Sequence, residues 1–82
     1  MIDVLYFAWV RERIGLPRET VTTAAATVAD AVAELVAREA RYAAAFADTR
    51  ALRVALDQRL GSFDAPLAGV REIAFFPPMT GG

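Results

Sequence analysis

The sequence predicts an α+β roll, in which a small mixed sheet carries one main helix on one face. Apolar runs rich in strand-forming residues lie near both ends of the chain, at residues 2–9 and 72–76. One segment between them has clear helical periodicity, and the remaining segments are short and separated by Gly and Pro. With 82 residues, the chain is long enough for one small domain.

The first predicted strand covers residues 2–9, and its Val, Tyr, Phe and Trp content favours a strand over a helix. Alternation divides its residues between two faces, with Ile2, Val4, Tyr6 and Ala8 on one and Asp3, Leu5, Phe7 and Trp9 on the other. Both faces are largely apolar. The strand is therefore either buried on both sides or presents one face to a partner.

The segment after the first strand predicts a short turn and a hairpin. Residues 10–14 suit a short helical turn that Gly15 closes. Residues 18–23 alternate and are rich in β-branched side chains, which predicts a second strand. Two strands this close in the chain most simply pair antiparallel.

The main helix is predicted to begin after Thr27, whose hydroxyl can cap it, with Asp30 three residues later. Apolar residues recur on one stripe that faces the core: Val28, Val32, Leu35 and Val36. Helical propensity continues through residues 43–46, so the pattern does not define where the helix ends.

Three short strands complete the prediction: residues 53–56, a brief edge strand at 60–63, and residues 72–76. In the last strand, alternation sends Ile73 and Phe75 to one face and Ala74 and Phe76 to the other. The first and last strands would lie side by side and parallel in the middle of the sheet, as in a β-grasp. We expect a domain at residues 1–76 and a flexible tail at 77–82.

Composition excludes several classes of function. The chain has neither His nor Cys, which argues against disulfides, thiol chemistry and a transition-metal site. Its net charge is −1 with no basic stripe, so we expect no nucleic-acid partner. No apolar run approaches a membrane span, and the N-terminus does not resemble a signal peptide, so we expect a cytoplasmic protein without a membrane partner.

The chain end carries the most unusual chemistry in the sequence. There is no Lys, His or Cys, and Ser62 has no basic partner type to activate it, so a free-standing enzyme is not expected. Pro77 and Pro78 favour an extended exit, and Gly81 and Gly82 fit a slot too narrow for other residues. The six residues 77–82 could reach about 20 Å. The remaining reactive group is the terminal carboxylate of Gly82.

A carboxylate must be activated before it reacts with a nucleophile, and transfer to AMP followed by sulfur would give a thiocarboxylate. Such chemistry needs partner enzymes and a surface that they recognise. Leu5, Phe7 and Trp9 would align with Ala74 and Phe76 on the sheet face away from the helix, with Arg11 at the rim. The alternative is that Leu5 and Phe7 only complete a small core under a loop.

Three segments resemble the family of molybdopterin synthase small subunits. They are Val4-Leu5-Tyr6-Phe7-Ala8 followed by Val10-Arg11-Glu12, the stretch 60–67, and the end Phe75-Phe76-Pro77-Pro78-Met79-Thr80-Gly81-Gly82. The resemblance covers essentially the whole chain, and it implies a ubiquitin-like β-grasp fold. It also implies partner contacts at Phe7, Arg11 and Phe76.

The resemblance further implies that an E1-like activating enzyme adenylates Gly82 with ATP, and that a sulfur donor system converts it to a thiocarboxylate. The tail, with Met79, Thr80 and Gly81 behind Gly82, would enter the large catalytic subunit. There it would donate sulfur to cyclic pyranopterin monophosphate, within a heterotetramer. No cofactor is expected to be bound by this chain itself.

The sequence departs from the family pattern at two places. Asp57 stands where members often have Asn, and residues 68–71 replace an Asp-Gly turn before the last strand. Two alternative functions stay open from the sequence. One is a sulfur carrier for another acceptor, such as thiazole or tRNA, and the other is a ubiquitin-like modifier or interaction module with an inert tail.

Overall fold

A computed structural model describes residues 1–78 of the chain. The strands are β1 (Ile2–Tyr6), β2 (Arg18–Val21), β3 (Arg53–Leu56), β4 (Arg59–Gly61) and β5 (Glu72–Phe76). The helices are α1 (Ala8–Ile14), α2 (Val28–Arg38) and α3 (Ala40–Ala45), with a 3₁₀ turn at Thr49–Ala51. The sheet order is β2-β1-β5-β3-β4, and β1 and β5 pair in parallel at its centre. The predicted β-grasp roll with a mixed sheet is confirmed.

The register separates the sheet into a helix side and an open side. Val4 lies opposite Ile73, and both are buried on the helix side. Leu5 lies opposite Ala74 on the open side, because successive strand residues point to opposite faces. In the antiparallel pair of β3 and β5, Arg53 lies opposite Phe76. The predicted alternation in β5 is therefore confirmed.

Phe75 occupies the centre of the core and is completely buried. The ring of Phe46 meets it edge-on with centroids 4.9 Å apart, and the rings of Tyr6 and Phe63 stack against it at 6.2 and 6.1 Å. These geometries are favourable for aromatic pairs. The last strand is thus fixed from the helix side by side chains from widely separated parts of the chain.

The first strand is shorter than predicted, because it ends at Tyr6 and not at Trp9. Phe7 is the N-cap of α1, and Ala8 has a φ of 53°, where the backbone turns out of the sheet. Trp9 therefore lies on α1, packs partly buried against the core, and does not share the open side with Leu5. Ala8, predicted to share a face with Val4 and Tyr6, is exposed, whereas those two residues are buried. Gly15 closes α1 with a φ of 88°, as predicted.

The main helix begins as predicted, but its buried face differs from the prediction. The Thr27 hydroxyl accepts a hydrogen bond from the Asp30 backbone N–H at 3.2 Å, so the predicted cap is confirmed. The buried stripe includes Ala31, whereas Val36 is exposed. The helix ends at Arg38, and Glu39 is extended before α3 begins. The helical propensity of residues 43–46 thus belongs partly to a separate helix.

The β3–β4 hairpin anchors the beginning of β5. Asp57 and Gln58 both have positive φ, at 50° and 70°, as two-residue hairpin turns require. The Asp57 carboxylate accepts hydrogen bonds from the backbone N–H groups of Arg71 and Glu72, both at 3.0 Å. An amide oxygen could accept the same two bonds, so Asp in place of Asn is compatible with this turn.

Within residues 1–78, no helix combines the length and apolar character that a membrane span requires. The boundary predicted at residue 76 coincides with the last residue of β5. That residues 77–82 form a flexible tail stays a prediction.

Candidate functional site: an apolar docking face at the exit of the last strand

An apolar groove of about 410 Å³ lies where β5 ends, and we call its lining the exit patch: Phe7, Ala8, Ala74, Phe76 and Pro77. The parallel pairing of β1 and β5 creates this groove, since parallel strands finish at the same edge of a sheet. The Phe7 backbone N–H donates to the Phe75 carbonyl at 3.1 Å, which holds the residue after β1 next to the end of β5. Phe7 keeps 45% of its surface exposed.

Leu5 extends the apolar surface along the open side of the sheet. It is half-buried, and its partner in the register is Ala74 of the exit patch. Ala74 lies opposite Ala55, which in turn lies opposite Leu60 on the edge strand β4. Four strands therefore contribute one apolar row, and an open apolar row beside a groove has the composition of an interface core.

Leu60 is a member of this row that the sequence reasoning missed. Its side chain is 74% exposed, although it lies on a strand. The brief edge strand predicted at residues 60–63 begins one residue earlier and ends two residues earlier, at Arg59–Gly61, and it does form the sheet edge. A Leu between Arg59 and Gly61 on a predicted edge strand could have indicated an apolar surface residue. Its position in the same row as Leu5, however, depends on the registers of three strand pairs.

Arg11 lies one helical turn after Phe7, and its backbone N–H donates to the Phe7 carbonyl at 3.4 Å. Its side chain is exposed. The structure therefore brings Phe7 and Phe76 together, places Leu5 next to them through Ala74, and puts Arg11 at the margin. That these four residues bind a partner stays a prediction.

The chain leaves the sheet through the exit patch. Pro77 and Pro78 are half-buried and follow directly from Phe76. The predicted tail residues Met79, Thr80, Gly81 and Gly82 lie outside the described residues. The part of the chain that the structure describes therefore ends at Pro78, beside the exit patch.

Residues 4–82 match the family model described as the ThiS family. The chain belongs to this family. It is 44% identical over 82 residues to the molybdopterin synthase sulfur carrier subunit of Escherichia coli (strain K12), with 100% of both chains covered. It is 39% identical, again over all of both chains, to the protein of the same name from Haemophilus influenzae.

A solved structure supports the fold assignment independently. The crystal structure of SAMP1 from Haloferax volcanii superposes with a TM-score of 0.70, covering 99% of this chain and 98% of that one. The sequence identity is 23%, so this likeness shows the ubiquitin-like fold alone. Sequence similarity thus supports membership of the ThiS family, and the structure supports the β-grasp fold.

A polar cluster of Tyr6, Glu19 and Tyr42 lies on the helix side of the sheet, opposite to the open side. Glu19 accepts hydrogen bonds from the Tyr6 hydroxyl at 2.8 Å and from the Tyr42 hydroxyl. Burial, followed by the hydrogen bond to Glu19, raises the pKa of both tyrosines, since each keeps its proton to donate it. Tyr6 is on β1, Glu19 on β2 and Tyr42 on α3. The cluster therefore joins three elements on the helix side of the sheet.

Proposed function

We propose that this chain is the sulfur carrier subunit of a molybdopterin synthase. The observation that carries the proposal is its full-length identity of 44% to the E. coli protein of that name. The geometry supports it, because an apolar groove lies at the end of the last strand, next to Pro77. A carrier needs these two features together, namely a surface for partners to hold and a chain end for them to modify.

The proposed reactive group is the Gly82 carboxylate. Its negative charge repels nucleophiles, so an activating enzyme first joins it to the α-phosphorus of ATP and releases pyrophosphate. A sulfur donor then displaces AMP from the carboxyl carbon and leaves a thiocarboxylate, whose sulfur is a good nucleophile. ATP is thus a substrate of the activating enzyme, and this chain binds no cofactor in the proposed cycle.

A synthase subunit of this kind works with a large catalytic subunit, and the exit patch with Leu5 and Arg11 is the proposed contact. Gly82 follows Phe76 by six residues, so the tail could reach about 20 Å into a partner. Within the large subunit, the thiocarboxylate would donate its sulfur to cyclic pyranopterin monophosphate, in a heterotetramer of two large and two small subunits.

The activating enzyme must hold the same chain end, so we propose that it docks on the same exit patch. The two complexes would then exclude one another, and sulfur would be delivered only after the activating enzyme has released the carrier. We place this cycle in the cytoplasm, where a reducing environment protects a thiocarboxylate from oxidation.

Deletion of Gly82 tests the proposal. With activating enzyme, ATP and a sulfur donor, the intact chain should gain the mass difference between one sulfur and one oxygen, and then support molybdopterin formation by the large subunit. The chain without Gly82 should do neither and should melt at nearly the same temperature, because a chain end contributes little to stability.

The matched control is Arg38→Ala, at an exposed position in the last turn of α2, which should behave like the unaltered chain. Molybdopterin formation by the shortened chain would contradict the proposal. Amide-linked conjugates in place of the sulfur exchange would instead identify a protein modifier.

A further inference from the structure

Arg53 lies directly beside Phe76 on the neighbouring strand. The antiparallel register places the two residues opposite each other, where side-chain Cβ atoms are about 4.5–5.5 Å apart. Val54, the next residue, is buried on the helix side, so Arg53 belongs to the open side. Arg53 is also exposed. Any protein that covers Phe76 must therefore cover or closely approach the Arg53 guanidinium.

The charge of Arg53 is not neutralised within the described residues. Its Nη1 donates to the Leu52 carbonyl at 3.2 Å. The ion pairs among residues 1–78 join other arginines to their carboxylates: Arg18 to Asp3, Arg41 to Glu39, and Arg50 to Asp48. A guanidinium has five N–H donors and stays charged at all physiological pH values. Most of its donors are thus available to a partner.

Acidic residues of the open side lie at the other end of the sheet. Asp3 and Glu72 are neighbours in the register, and Glu72 is four residues before Phe76, about 13 Å along the strand. Asp3 already accepts hydrogen bonds from Arg18 and Thr20. Among residues 1–78, the ion pairs do not include Arg53 or Arg11, so both supply positive charge near the exit patch.

We propose that the large catalytic subunit presents an Asp or Glu side chain to Arg53, and that this pair selects the partner that docks on the exit patch. Docking removes the water that solvates the guanidinium, and an apolar or cationic group opposite it would leave a buried charge unpaired. A carboxylate can accept two parallel N–H bonds from the guanidinium and removes that penalty. The pair would therefore discriminate mainly against partners without an acid at this point. This inference rests on the proposed function.

Binding of the full-length chain to the large subunit, measured by calorimetry at low and high salt, tests the inference. Arg53→Glu should weaken binding on the order of 100-fold through like-charge repulsion, and Arg53→Gln on the order of tenfold. The Gln variant should also show a weaker salt dependence, since it has lost one screened charge pair. Arg38→Glu, an equal charge change in α2, is the matched control and should bind like the unaltered chain.

Melting temperatures of all variants establish that they fold, and Arg53→Gln keeps the size and polarity of the side chain. Charge reversal of the opposing acid in the large subunit should restore binding of Arg53→Glu. Unaltered binding of Arg53→Glu would overturn the inference, while sulfur transfer by the unaltered chain would leave the proposed function intact. If the unaltered chain neither gains sulfur nor binds the large subunit, the proposed function fails and the inference fails with it.

Discussion

Phe75 and Phe76 are neighbours in one strand, yet they belong to different environments. Phe75 points to the helix side, where three aromatic rings surround it and no surface is exposed. Phe76 points to the open side and lines a groove that no described residue fills. The comparison shows that one strand of this small domain separates two tasks by the alternation of its side chains. One face contributes to stability, and the other is the face that we propose for partner recognition.

Replacement of Phe75 by Ala should have the largest effect on the helix side. Loss of a fully buried Phe side chain costs about 3–5 kcal/mol, compared with a total stability of about 5–15 kcal/mol for a domain. We expect a large fraction of the Phe75→Ala variant to be unfolded, as measured by urea denaturation followed by circular dichroism. A loss of less than about 1 kcal/mol would contradict the central position assigned to this ring.

Replacement of Phe76 by Ala should give the opposite result on the open side. The free energy of unfolding should change by about 1 kcal/mol or less, because the side chain is only half-buried in the isolated domain. Binding to the large subunit should weaken by about 1–3 kcal/mol if Phe76 is a hot spot. If Phe76→Ala and the unaltered chain bind the large subunit with equal affinity, Phe76 does not contribute to docking.

High pH should lower the stability of the domain without acting on the open side, because both tyrosines lie on the helix side. The chain contains two tyrosines and no Lys or Cys, so Tyr6 and Tyr42 are the side chains that can lose a proton between pH 9 and 11. Their pKa values are raised in the folded protein above the ordinary value of 10.0. Above pH 10 the unfolded chain therefore releases protons that the folded chain retains, and stability falls as pH rises.

The expected loss is at most about 1.4 kcal/mol per tyrosine for each pH unit above 10, and it is absent below pH 9. Urea midpoints measured from pH 8 to 11 check this, and Tyr6→Phe should flatten part of the slope. Binding to the large subunit by the fraction that stays folded should change little over the same range. Stability that is constant up to pH 11 would contradict the hydrogen-bonded state assigned to both hydroxyls.

The sequence was sufficient for the topology because hydrophobic periodicity and segment order restrict the sheet strongly. It failed where a single backbone angle decides the structure. The apolar residues 2–9 look like one continuous strand, and no side-chain pattern reveals that Ala8 turns out of the sheet with a φ of 53°. Likewise, the Ala-rich residues after Arg38 favour a helix, but the extended backbone of Glu39 divides it.

The candidate site was predictable to the extent that it follows from neighbouring strands. Phe7 and Phe76 could be placed together because the first and last strands were expected to be parallel. Leu60 and Arg53 could not be placed next to Ala55 and Phe76, because these neighbours depend on the registers of β3 with β4 and β5. Registers follow from packing between distant segments, and a single sequence does not contain them directly.

The central position of β5 has a consequence for biosynthesis. Ribosomes make this strand after every other element of the sheet, yet β1 and β3 both require it as a neighbour. The sheet therefore cannot close during translation until the segment adjoining the tail has emerged. A polypeptide that is terminated early lacks the middle of its sheet and the groove beside it. A folded domain with an intact groove therefore indicates that synthesis has continued at least to the end of β5.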